Sequence, residues 1–101
     1  MSLLVQKYGG SSLADLERLE AIADEIAETY RQGHDLVVVV SAMGDSTDDF
    51  LERARALSDA PPERELDMLL SVGERISMSL MSIALQQRGV DAVSLTGSQC
   101  G

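Results

Sequence analysis

The chain has 101 residues, 45% of them apolar, with 8 Lys and Arg against 17 Asp and Glu, for a formal charge of −9. That length holds one domain at most, with a small core. An acidic balance with no basic cluster argues against nucleic acid or an anionic membrane as the main partner, because both reward grouped Lys and Arg.

Cys100 has no second cysteine to pair with, and no cysteine spacing suggests a zinc site. A reducing, cytoplasmic setting is expected. The first residues, Met1 to Lys7, lack the basic start, long apolar stretch and small-residue cleavage site of a signal peptide. The longest unbroken apolar run, Leu36 to Val40, is far too short to span a bilayer.

The apolar stretch from Leu3 to Tyr8 runs into Gly9-Gly10-Ser11-Ser12, which predicts a strand entering a glycine turn. Leu13, Leu16, Leu19, Ile22, Ala23, Ile26, Ala27 and Tyr30 then recur at three- and four-residue intervals, the pattern of an amphipathic helix. Ser12 is the expected N-cap, and Gly33 the residue that takes a left-handed C′ conformation. Leu36-Val37-Val38-Val39-Val40 shows no polar alternation, as expected of a strand covered on both faces. A second helix is predicted from near Thr47, with Phe50, Leu51, Ala54 and Leu57 on one side and Pro61-Pro62 after it.

Glu63 to Arg88 predicts one long helix with Leu66, Leu69, Leu70, Gly73, Ile76, Leu80, Ile83 and Ala84 inward, stopped by Gly89. Gly73 inside a helix costs about 1 kcal/mol against alanine, which points to close packing or a break there. Val90 to Leu95 predicts a third strand, followed by the hydroxyl and glycine loop from Thr96 to Gly101. Strands separated by helices give the α/β class: a parallel β-sheet with flanking helices, an αβα sandwich whose ligands collect at the carboxyl ends of the strands.

Those ends supply Lys7 to Ser12, Ser41 to Thr47 and Thr96 to Ser98. The first has the parts of a phosphate cradle: glycines that let amides approach an anion, a helix N-terminus behind them, and a lysine for charge. It has neither the G-x-x-x-x-G-K-[ST] nor the G-x-G-x-x-G spacing. A plain turn explains the same glycines, and a solvated lysine explains Lys7. Ser41 reads equally as a strand-end hydroxyl and Thr47 as a helix cap. Glu74 has Leu70 and Met78 four residues to either side, so it falls on the apolar flank, where a glutamate either lays its stem along the core or serves a ligand. His34, in a connection, is expected to be solvated, and the five methionines to fill the core. No residue set suggests a metal site.

Taken in order, four blocks resemble the aspartate kinases of the amino-acid kinase superfamily. They are Val5-Gln6-Lys7-Tyr8-Gly9-Gly10-Ser11-Ser12, the run from Val38 to Asp48, the run from Arg64 to Ser77, and Ser94-Leu95-Thr96-Gly97-Ser98-Gln99. Ser11 stands where that family commonly has threonine, and Cys100 where it usually has alanine. The resemblance covers nearly the whole chain and implies the N-terminal part of a catalytic domain spanning residues 1–101, without the rest of the sheet, the nucleotide-base pocket or the ACT regulatory domains.

The implied activity is ATP-dependent phosphorylation of the L-aspartate side-chain carboxylate to 4-phospho-L-aspartate, the first step toward lysine, threonine and methionine. By position, Lys7 contacts the ATP phosphates and offsets charge in the transition state, while Gly9, Gly10 and Ser11 line the phosphate loop. Ser41 lies beside the phosphate path, and Thr47 and Glu74 hold aspartate, Glu74 at its ammonium group. The implied small molecules are aspartate, ATP and Mg²⁺ bound with the nucleotide. A noncatalytic phosphate-binding or assembly module is the alternative from another class. Glutamate, carbamate and uridylate kinases share the glycine loop, but the Arg64 to Ser77 and Ser94 to Gln99 blocks favour aspartate. Alone, the 101 residues are expected to be weakly active or inactive and to self-associate or join the rest of an enzyme, because a partial parallel sheet leaves an open edge and exposed apolar faces.

Overall fold

A computed structural model describes residues 2–42 and 46–95, apart from the side chains of Ser46 and Thr47. Strand β1 (Leu3–Tyr8) pairs in parallel with β2 (Asp35–Val40), Leu3 opposite Asp35 and Tyr8 opposite Val40. Parallel strands cannot be joined by a tight turn, and helix α1 (Leu16–Arg31) makes the crossover between them. Helices α2 (Ser46–Leu57) and α3 (Glu63–Gln87) follow.

The core lies between one sheet face and the two helices α1 and α3. Leu13, Leu19, Ala23, Ile26, Ala27, Met81, Leu85 and Val90 are buried there, against Tyr8, Leu36, Val38 and Val40. The opposite face is bare among the described residues: Leu3, Val5, Val37 and Val39 are 68%, 69%, 48% and 45% exposed. The valine run therefore has one covered face and one open one, where its sequence predicts two covered faces. Among the described residues, the helices cover one face of the sheet.

The start of α1 departs from expectation. Gly10–Leu13 first winds into a 3-10 turn, closed by the Ser12 N–H donating to the Gly9 carbonyl at 3.1 Å, and Leu13 is driven into the core. Ser12 is consumed by that turn. The N-cap is Asp15, in extended conformation, whose carboxylate accepts from the Arg18 N–H at 2.8 Å. Asp15→Ala should lower stability by about 1 kcal/mol in urea unfolding, with Ser12→Ala costing less. At the other end Gly33 has φ +96°, the left-handed conformation its position predicts.

Helix α3 buries a single four-residue row, Gly73, Ser77, Met81 and Leu85. Of the predicted inward residues, Gly73 is buried and Leu66, Leu70, Leu80 and Ala84 are half-buried, but Leu69, Ile76 and Ile83 are exposed. Among the described residues α3 packs on α1, α2 and β2, and one row meets them. Ser77 can join that row because its hydroxyl donates to the Gly73 carbonyl at 3.2 Å. By length and composition α3 could cross a bilayer, yet this row is packed in the core and Glu74 and Arg75 sit at mid-helix.

The expected third strand does not form among the described residues. Residues 90–95 run beside β2 across a cleft of about 530 Å³, without regular structure. Two of their backbone groups bond to α3: the Val90 N–H donates to the Leu85 carbonyl at 3.0 Å, and the Gln86 amide nitrogen donates to the Ala92 carbonyl at 2.9 Å.

Arg88 ties the end of α3 to α1. Its Nε donates to Asp24 Oδ1 at 2.7 Å and its Nη1 to the Ala84 carbonyl at 2.9 Å, while Arg31 Nη2 donates to the Arg88 carbonyl at 3.1 Å. Asp24 is largely exposed, so water screens the pair and Arg88→Ala should cost only about 1 kcal/mol in urea unfolding. His34, expected in solvent, is half-buried, and its Nδ1 is enclosed without a hydrogen-bond partner among the described residues.

Candidate active site

Lys7, Gly9, Gly10, Ser11 and Ser41 lie at the carboxyl ends of β1 and β2. Lys7 is the penultimate residue of β1, opposite Val39, and its side chain belongs to the exposed face. Tyr8 points into the covered face. Burial raises its phenol above the ordinary value of 10.0, and the Glu25 carboxylate acts in the same direction, so it stays neutral.

Gly9 continues in extended conformation before the 3-10 turn. Among the described residues, a Cβ built on Gly9 meets nothing within 4 Å, so at Gly9 the backbone is open to approach. Ser11 is exposed, and its carbonyl accepts from Arg18 Nη1 at 2.9 Å. That contact fastens the glycine turn to α1. The sequence places Arg18 only on the polar side of the helix, which carries no sign of this contact.

Ser41 is half-buried, and its N–H donates to the Tyr8 carbonyl at 3.1 Å, so the ends of the two strands are held together. Ala42 follows, buried against Gly73: a Cβ built on Gly73 would lie 2.8 Å from the Ala42 Cβ and 3.3 Å from Phe50 Cε2. Helix α3 thus touches the strand end at Gly73, and Glu74, exposed, is the next residue. Lys7 lies on the open face of the sheet, and Glu74 lies on α3, which packs against the other. Thr47 is in the first turn of α2, but its side chain lies outside the described residues, as do Met43 to Asp45 and Thr96 to Gly101.

Chemically, this edge offers free backbone in an open turn, a lysine ammonium, a strand-end hydroxyl and a carboxylate. That set suits an anionic phosphate chain beside an ammonium-bearing molecule. Among the described residues, no three His, Cys, Asp or Glu groups cluster to hold a metal ion.

A family model described as the amino acid kinase family matches residues 2–101. The chain belongs to the amino acid kinase family. Among related family members, the aspartokinase of Mycolicibacterium smegmatis is 59% identical over all 101 residues, which make up 24% of that protein. Aspartokinase 2 of Bacillus subtilis is 50% identical over the same span, 25% of its length. A crystal structure of aspartate kinase from Synechocystis superposes with a TM-score of 0.93 at 52% identity, over 96% of this chain and 17% of that one. The chain spans about a quarter of the length of these curated relatives.

Proposed function

We propose that these 101 residues are the opening part of an aspartate kinase catalytic domain, which transfers the γ-phosphoryl group of ATP to the side-chain carboxylate of L-aspartate. The observation that carries this reading is the 59% identity to an aspartokinase along every residue of the chain. The open glycine turn and the meeting of β1, β2 and α3 at one edge support it.

The chemistry needs little from the protein beyond placement and charge. A side-chain carboxylate with a reference pKa of about 3.9 is ionised at neutral pH, so the nucleophile requires no general base. A carboxylate oxygen bonds to the γ-phosphorus as the bond to the β–γ bridging oxygen breaks, and ADP leaves with that oxygen. In this reading Lys7 neutralises charge on the transferring group, the amides of Gly9, Gly10 and Ser11 cradle the phosphates, and Ser41 lines their path. Thr47 and Glu74 hold aspartate, with Glu74 paired to its ammonium. Mg²⁺ arriving on the nucleotide would be held mainly by phosphate oxygens and water, and would add positive charge there. The product, 4-phospho-L-aspartate, is the activated acid from which lysine, threonine and methionine pathways start.

The test uses a full-length chain carrying this segment, supplied with MgATP, hydroxylamine to trap the acyl phosphate, and either aspartate or glutamate. Aspartyl hydroxamate should form in step with ADP, and glutamate should give little. Turnover with glutamate but not aspartate would sink the substrate assignment, and nucleotide binding without either product would favour a noncatalytic module.

A further inference from the structure

We propose that the contact between Gly73 and Ala42 is a spacer that sets how closely α3 seats against the carboxyl end of β2, and through it the position of Glu74 relative to Ser41. The inference rests on the aspartate kinase reading and makes Gly73 and Ala42 positioning residues for aspartate.

A helix-interior glycine is unfavourable against alanine, so helix formation does not account for Gly73. The space around it does. Its Cα approaches the loop so closely that an added Cβ would lie 2.8 Å from the Ala42 Cβ, 3.8 Å from the Ala42 Cα and 3.3 Å from Phe50 Cε2. The Phe50 ring can turn slightly. The Ala42 Cβ cannot, because it is bonded directly to the backbone, so a methyl group at position 73 must move the helix or the strand end by roughly 1 Å to restore ordinary carbon contact.

Both sides of this contact lead straight to proposed site residues. Ser41 precedes Ala42 and is held to β1 by its N–H bond to Tyr8. Glu74 follows Gly73, and the Gly73 carbonyl is tied by the buried Ser77 hydroxyl one turn on. The spacing is therefore transmitted by backbone, with no flexible side chain between to absorb it.

The experiment compares Gly73→Ala, Ala42→Gly and the double variant, which moves one methyl group across the contact, in a full-length enzyme carrying this segment. Steady-state kinetics are read with aspartate and ATP varied separately, alongside thermal melting. Gly73→Ala should raise KM for aspartate about tenfold or more with KM for ATP within about twofold, and the double variant should recover most of that loss. A Gly73→Ala enzyme that melts earlier but keeps its aspartate KM overturns the spacer, as does a double variant no better than Gly73→Ala. If Gly73→Ala fails to fold, the double variant decides: folded with near-wild-type aspartate KM supports the spacer, unfolded or weakly binding overturns it. Wild-type enzyme inert toward aspartate sinks the functional reading and the spacer together, whereas an active wild type with an indifferent Gly73→Ala sinks only the spacer.

Discussion

Replacing Lys7 with alanine in a full-length enzyme is expected to lower kcat by about 100- to 1,000-fold while moving KM for aspartate only modestly. Negative charge on the phosphate oxygens must be met by fixed positive groups, and an interaction stronger in the transition state than in the ground state appears in kcat. Lys7 is the cation of the glycine-turn block, and it stands at the end of β1 where the backbone is held by pairing to β2. Arg18, the other cation near the turn, is engaged with the Ser11 carbonyl. Lys7→Arg keeps the charge on a broader head, so it should recover part of the rate. A Lys7→Ala enzyme with unchanged kcat and a raised aspartate KM would reverse the roles given to Lys7 and Glu74.

Glu74→Ala should do the opposite, raising KM for aspartate about 10- to 100-fold with kcat nearly retained. A carboxylate that pairs with the substrate ammonium does so equally before and during transfer, because the ammonium takes no part in the bond changes. Glu74→Gln separates charge from shape: it should lose most of the affinity if the ammonium pairing is what matters, and little if Glu74 only packs. Glu74 follows Gly73, where α3 reaches the end of β2 at Ala42.

The glycine-turn strand was legible to the residue, because Leu3–Tyr8 and its glycine stop are local chemistry. The positive φ at Gly33 was legible for the same reason, and Gly89, expected to stop α3, follows its C-cap Arg88. What the sequence misassigned depends on partners far along the chain. Ser12 and Asp15 are both good caps, and the choice falls to Asp15 because Leu13 must reach the core first. The inward row of α3 shifted to Ser77 and Met81 because the helix is broadly apolar and its packing against α1, α2 and β2 selects one row. Val90 to Leu95 has strand composition, but Gln86 and Leu85 draw its backbone toward α3. At the candidate site, the glycine turn and the odd flank position of Glu74 were visible in the residues. The Arg18 clamp on Ser11 and the contact of Gly73 with Ala42 were not, since each joins residues whose proximity only the fold creates.

The central claim is that a triphosphate and an amino acid meet at this sheet edge, one approached by Lys7 from the open face and the other by Glu74 from α3. Its most direct test is a crystal structure of the full-length enzyme with aspartate and a nonhydrolysable ATP analogue. The account predicts the Lys7 ammonium hydrogen-bonded to a phosphate oxygen, the Glu74 carboxylate hydrogen-bonded to the aspartate ammonium, and the aspartate side chain in line with the terminal phosphorus. Finding Glu74 turned to solvent on the far side of α3, or the phosphates bound away from the glycine turn, would contradict it.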